Sequence, residues 1–394
     1  MILFYILAIL LIFLSYKSFR GGVNYLKYFK SELAKPRSDF SPFVSMIAPC
    51  KGLDDGLFEN LKSLTGQNYS EYEVIFVVDD RKDAAVPIIE KLLSGNTKLI
   101  IAGQTRDSSQ KVENLREAVL HVSDRSEVFV FVDSDARPSK DWLQDLVAPL
   151  ENKDLGAATG YRWFISKTSG FASEMRSVWN ASVASALGQN MKSNFCWGGA
   201  TAIRREVFEQ LDVREKWRGT LSDDFTLTRI LNGAGMPIHF VPKALTASVE
   251  NCTFRELLEF TTRQMKITRV YRPDLWKLSF FGSGVFNVVW IWSILILVST
   301  GVRSFPFWGA VVTLILVSIF SIGKSWLRLQ SVRLVLTDYE NKLARQFWPQ
   351  NTLWLLSPAL FFYNAFAAWM SRRMTWRGIQ YKLKSAHETV IISK

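Results

Sequence analysis

Two carboxylates separated by one serine close the apolar run EVFVFVDSDARP, Glu127 to Pro138. Where a strand gives way to a loop, residues i and i+2 point the same way, so Asp133 and Asp135 can converge on one cation at roughly 2.0–2.6 Å. A hard divalent ion, Mg2+ or Mn2+, held by two carboxylates and completed by substrate phosphates would neutralise a diphosphate leaving group. The structural alternative is a solvated acidic loop ahead of a helix start at Arg137-Pro138, since a bare D-x-D also arises by accident. Either way, two adjacent negative charges repel and call for a positive group between them.

Other acidic and basic residues invite the same kind of reading. In VVDD, Val77 to Asp80, turn chemistry alone explains the aspartates, but the second acidic strand end at FVDSD gives Asp80 a ligand-binding reading as well. In LSDDFTLTRIL, Leu221 to Leu231, one of Asp223 and Asp224 is accounted for as a helix N-cap, and the pair leaves a carboxylate that could act as general base on an acceptor hydroxyl. Upstream, CWGGATAIRREVF places Gly198 and Gly199 where the backbone either turns sharply or approaches a ligand. The basic run FTTRQMKITRVYR carries Arg263 and Lys266 one helical turn apart, suited to a pyrophosphate or to anionic headgroups.

The elements that must position these residues are legible as runs. VSMIAP, YEVIFVVDD, KLIIAG and EVFVFVD are short, continuous and rich in β-branched residues, the signature of parallel strands buried on both faces. GLFENLKSLTGQ, AAVPIIEKLLS and KVENLREAVLHV separate them with helical periodicity. This alternation predicts an open α/β sheet with ligands at the carboxyl ends of its strands.

Apolar segments flank that region. Residues 2–14, ILFYILAILLIFL, read as a signal anchor rather than a cleaved leader, because basic residues come after the run and none precede it. Lys17, Arg20, Lys27 and Lys30 then direct the chain beyond the anchor to the cytoplasm. Residues 281–302 and 307–323 read as a transmembrane hairpin. The run 353–370 contains Pro358 and Asn364 and reads as re-entrant or interfacial, which leaves the basic tail, with Arg372, Arg373 and Arg377, on the cytoplasmic side. The expected organisation is an anchor at 1–20, a cytosolic catalytic domain at 40–275, the hairpin at 281–323, and a membrane-associated segment with a basic tail at 350–394.

Composition narrows the partners. The net charge of +12 suits a membrane surface or an anionic small molecule. No interleaved aromatic and basic stripe points to nucleic acid. Three scattered cysteines and three scattered histidines form neither a disulfide framework nor a zinc-ligand spacing. A nucleoside triphosphatase loop of the G-x-x-x-x-G-K-[ST] type is absent from the sequence.

Taken in order, PCKGLDDGLFENLKSL, YEVIFVVDD, QKVENLREAV, FVDSDARP, GGATAIRREVF, LSDDFTLTRIL and RQMKITR resemble the family-2 glycosyltransferases, and more closely the ceramide glucosyltransferase group. The resemblance spans residues 43–275, and the tail TWRGIQYKL is similar to the end of that group. It implies a GT-A, Rossmann-like α/β domain at the cytosolic membrane face that inverts the anomeric centre of a nucleotide sugar. Carried over by motif, Asp80 implies a nucleotide contact, Lys111 and Asn114 a segment near the donor, Asp133 and Asp135 the metal and diphosphate motif, and Asp224 the base. The last motif departs from the family pattern. Lysine and isoleucine at 266 and 267 replace arginine and tryptophan, which removes a bidentate fork and a sugar-stacking ring. That speaks against processive polymer synthesis and leaves a UDP-sugar donor and a lipid acceptor such as ceramide or diacylglycerol as the expected partners. A polyprenyl phosphate acceptor and a non-catalytic membrane scaffold stay open as alternatives.

Overall fold

The computed structural model describes residues 1–393. It divides into a helical unit (residues 1–30, 165–185 and 251–371) and an α/β unit (residues 31–164, 186–250 and 372–394).

The α/β unit is built on strands β1 (Val44–Pro49), β2 (Tyr72–Val78), β3 (Thr97–Ile101), β4 (Val128–Phe131), β5 (Ala157–Ile165), β6 (Thr201–Arg204) and β7 (Ile238–Val249). They form one sheet in the order β3-β2-β1-β4-β6-β5-β7. β1 pairs in parallel with β2 and with β4, and β2 with β3, whereas β6 runs antiparallel to β4 and β5. The four runs expected as parallel strands are therefore strands, and the unbroken burial of β4, with that of most of β1 and β2, explains why each reads as a continuous apolar run. Chain order reverses at β1 and β4. In such sheets the crevice beyond the strand ends at this point is where ligands bind. Beneath it, Phe129 and Phe131 of β4 meet Phe208 and Trp217 edge-on in the buried core.

Residues 373–393, read from the sequence as part of a basic tail, fold as a second, antiparallel sheet of β8 (Arg373–Trp376), β9 (Ile379–Leu383) and β10 (Thr389–Ser393). Ile379, Tyr381 and Leu383 of β9 are buried while Gln380 and Lys382 between them are exposed. Of the basic residues that suggested a solvated tail, Arg373 and Lys382 are outward positions of period-2 strands, whereas Arg377 lies in the turn between β8 and β9.

Among the described residues three helices are each long and apolar enough to cross a membrane, Ile2–Leu33, Pro273–Ser299 and Phe305–Arg333. At about 1.5 Å per residue each exceeds a hydrocarbon core of ~30 Å. Phe4, Ala8 and Leu11 of the first pack with Phe286 and Val289 of the second and Ala310 and Val317 of the third. Large apolar side chains such as Val298 and Phe305 face outward, as bilayer-facing positions do. Helices Phe347–Leu355 and Ser357–Met370 meet at 58°, with Pro358 in the first turn of the latter. That is the geometry of a re-entrant segment or a broken span. Asn364 within it is buried, its carbonyl oxygen accepting hydrogen bonds from Thr261 and Thr262 at 3.2 and 3.1 Å.

Candidate active site

The charged cluster assembles at the carboxyl end of β4, and no ion pair or hydrogen bond among the described residues joins Asp80, at the end of β2, to it. The register of β4 against β6 pairs Phe131 with Thr201, which sets the Gly198-Gly199 loop beside the Asp133-Ser134-Asp135 segment. Helix Gln110–Ala118 starts at an N-cap made by the Ser109 hydroxyl, so Lys111 in its first turn faces the same point.

The positive group that the aspartate pair calls for is present twice. Lys111 Nζ lies 2.7 Å from Asp133 Oδ1 and 3.2 Å from Asp223 Oδ1, and also donates to the Gly198 carbonyl at 3.5 Å. Arg162, from β5, places Nη1 2.9 Å from Asp135 Oδ2. Its guanidinium carbon is 4.9 Å from the centroid of the Phe164 ring and 5.3 Å from that of Trp197, contacts that favour a desolvated cation. Arg162 is the one residue of β5 that is not fully buried. Thus Asp133 and Asp135 each keep a separate cation, an arrangement that the i, i+2 spacing does not reveal.

Electrostatics follow from burial and these pairs. Burial opposes ionisation of Asp133, but Lys111 and Arg162 more than offset it and hold its carboxyl below the ordinary value. For Asp135, burial together with Asp133 and Asp54 outweighs Arg162, so its carboxyl is raised. Burial pushes Asp223 up to about 6, against the opposing pull of Lys111 and with help from Asp224 and Asp133. Lys111, although buried, is kept protonated by Asp133, Asp223 and Asp224.

Gly198 proves to be a position of close approach. A Cβ there would stand against Asp223 Oδ2 and 2.6 Å from Lys111 Nζ. Neither Asp223 nor Asp224 is the N-cap of helix Asp223–Gly233. Ser222 is, its hydroxyl accepting from the Phe225 N–H at 3.3 Å. That frees both carboxylates: Asp223 turns inward to Lys111, and Asp224, half-buried, accepts from the Phe225 N–H at 2.7 Å and from the Ser222 hydroxyl.

At the end of β2, Asp80 is exposed and accepts from the Lys82 N–H at 2.8 Å, the turn chemistry of a strand end. Its neighbour Asp79 is buried and ion-paired with Lys51. Asn114 is buried and its side-chain oxygen accepts from Gln110 Nε2 at 2.9 Å. Arg263 and Lys266 lie on helix Phe254–Tyr271 of the helical unit. Arg263 stands 5.6 Å from the Phe260 ring, and burial lowers the Lys266 ammonium.

Sequence reasoning missed Arg162, Asp54 and Arg377. Asp54 accepts from the Ser134 hydroxyl at 2.8 Å and pairs with Arg377 at 2.5 Å. It shares a cleft with Asn60, Asp135, Arg137, Ser248 and Glu250. No residue pattern marks Arg162, and the segment TWRGIQYKL around Arg377 does not indicate its partner, because only the tertiary fold brings both arginines to the Asp133-Ser134-Asp135 turn.

Among the described residues no group of three or more His, Cys, Asp or Glu side chains is arranged to hold a metal ion unaided. The donor set nonetheless suits a hard divalent ion completed by phosphate oxygens, because Asp135 Oδ1 is buried without a hydrogen-bond partner.

The α/β sheet thus carries acidic strand ends neutralised by buried cations, in a chain whose apolar helices are long enough to cross a membrane. The chain belongs to glycosyl transferase family 21, whose model matches residues 3–389, and its α/β unit is the GT-A domain that the motif order implies. Among curated proteins it is similar to ceramide glucosyltransferase 3 of Caenorhabditis elegans, 22% identical over 224 residues, covering 54% of this chain and 48% of that protein. It is also similar to ceramide glucosyltransferase of Candida albicans, 30% identical over 123 residues, covering 27% of this chain and 22% of the other. The chain thus spans about half or less of the length of these relatives. A mannosyltransferase from Pyrobaculum calidifontis, solved in complex with GDP-Man and Mn2+, is similar over 91% of this chain and 99% of its own, at 17% identity and a TM-score of 0.45. GalNAc-T7, solved with UDP, GalNAc and Mn2+, is similar over 55% of this chain and 45% of its own, at 13% identity and a TM-score of 0.41.

Proposed function

We propose that this glycosyltransferase is a membrane-bound inverting hexosyltransferase that moves glucose from UDP-glucose to a lipid hydroxyl, with ceramide or diacylglycerol as the acceptor class and the α/β unit facing the cytoplasm. The observation that carries the reading is the cluster in which Lys111 meets Asp133 and Asp223 while Arg162 meets Asp135, whose second oxygen has no partner. The names of the curated relatives support the lipid acceptor and the sugar.

In this reading Asp133 and Asp135 hold Mg2+ or Mn2+, which when bound supplies positive charge to the donor diphosphate. Lys111 favours the ionised form of Asp133 and Arg162 pairs with Asp135, so both carboxylates are oriented in a buried setting before substrate arrives. Asp80, exposed at the end of β2, contacts the nucleotide. Asp224, fixed at the start of its helix by two hydrogen bonds, takes the proton from the acceptor hydroxyl. The freed oxygen attacks the anomeric carbon from the face opposite the leaving group, and the bond from that carbon to the diphosphate oxygen breaks. On motif order, Arg263 and Lys266 steady the departing diphosphate. The apolar helices give a lipid acceptor a bilayer from which to enter.

The test is to incubate membranes containing the protein with labelled UDP-glucose and a panel of ceramide, diacylglycerol and polyprenyl phosphate, with and without EDTA, beside Asp224→Asn. Labelled ceramide or diacylglycerol that disappears on chelation and falls at least about a thousandfold in the variant is the expected result. Product only on polyprenyl phosphate would move the acceptor class, and none in any lane would leave a scaffold.

A further inference from the structure

β8 and β9 are joined by Arg377 and Gly378 alone, because Trp376 pairs with Ile379. Both turn residues have positive φ, 50° at Arg377 and 81° at Gly378. Such two-residue turns favour asparagine, aspartate or glycine at the first position, since an L side chain with a Cβ is strained there. An arginine held in this conformation points to a task for its side chain.

That side chain reaches the donor site. Its guanidinium pairs with Asp54, and Asp54 in turn holds the Ser134 hydroxyl between Asp133 and Asp135. The fields of Asp54, Asp135 and Asp133 all act on it. The hairpin is pinned beside the site from its other strand, where the Tyr381 hydroxyl accepts from the N–H of Gln110, the residue before Lys111, at 3.2 Å. About 40% of the Arg377 side chain stays exposed, and its pairing with Asp54 is made through Nη2. Meanwhile the motif that should provide a bidentate arginine has Lys266 instead, a point charge without the fork.

We infer that Arg377 is a diphosphate ligand of the donor site: the C-terminal hairpin carries an arginine to the nucleoside diphosphate, with Asp54 holding its guanidinium beside the metal-binding carboxylates. This rests on the donor reading above. A planar guanidinium matches two diphosphate oxygens at once, which a lysine cannot do.

The test uses the full chain in detergent with Mn2+ and measures binding of UDP and of UMP by calorimetry for wild type, Arg377→Gly and Arg377→Lys. Glycine suits the positive φ, so Arg377→Gly keeps the turn, and an unchanged melting temperature excludes unfolding as the cause of any loss. Arg377→Gly should bind UDP at least about tenfold more weakly and bind UMP within about twofold of wild type, with Arg377→Lys between the two for UDP. Wild-type UDP affinity in Arg377→Gly overturns the inference and leaves the donor reading intact. An equal loss for UDP and UMP also overturns it, by showing a general effect of the hairpin. Failure of wild type to bind UDP at all removes the donor reading and the inference together.

Discussion

Arg162 Nη1 stands 2.9 Å from one oxygen of Asp135, while the other oxygen of the same carboxylate is buried without a hydrogen-bond partner. One half of the group is neutralised by the protein, and in the proposed site the other is the acceptor offered to the metal ion. A buried acceptor without a partner is destabilising until something binds it.

If that division is correct, Asp135→Asn should raise the Mn2+ concentration needed for half-maximal transfer by about tenfold or more. Arg162→Met should leave a buried carboxylate unpaired and lower stability. A double-mutant cycle of the two substitutions, read from denaturant unfolding, should return a coupling of about 1–3 kcal/mol. A coupling near zero would mean that the pair is incidental.

Two glycines separate site from scaffold. A Cβ at Gly160 would meet the Ala244 carbonyl, which is backbone and cannot move aside cheaply, so Gly160→Ala should destabilise the α/β unit by about 1–3 kcal/mol. At Gly198 the obstacles are the ends of Asp223 and Lys111. Gly198→Ala should therefore fold with a melting temperature close to wild type yet lose donor binding, because Lys111 must leave Asp133. Thermal unfolding and donor titration on both variants check this inverse ranking.

Asp223 supplies a pH signature. Its pKa of about 6 in the folded protein lies above the 3.8 of an unperturbed aspartate, so between these values the folded state binds more protons than the unfolded one. This group's contribution to stability is present below about pH 4 and declines as pH rises through 6. Asp223→Asn should remove that component, with the melting temperature of the variant gaining on wild type from pH 4 to pH 6. A difference that is flat across this window would contradict the assignment.

The sequence disclosed the parallel strands β1 to β4 because burial on both faces leaves no polar interruption. β7 was hidden for the opposite reason. Its run IHFVPKALTASV contains Pro242, which argues against a strand interior, but β7 lies at the edge of the sheet, where a missing N–H is tolerated. β6 is only four residues long and comes just after two glycines, so no periodicity could develop. Within the site, the need for a cation beside Asp133 and Asp135 was legible, and Lys111 was found by motif. Arg162 was not, since its partner lies 27 positions away and nothing local marks one arginine in an otherwise buried strand. The capping role was legible in kind but misplaced by one residue. Serine at 222 satisfies the helix start, and this is why two acidic groups come after it.

The hairpin of β8 and β9 comes after every apolar helix in the chain. In a nascent polypeptide, strands β1 to β7 are therefore all synthesised before Arg377. If Arg377 holds the donor diphosphate as inferred, the donor site is complete only after the last apolar helix has been synthesised.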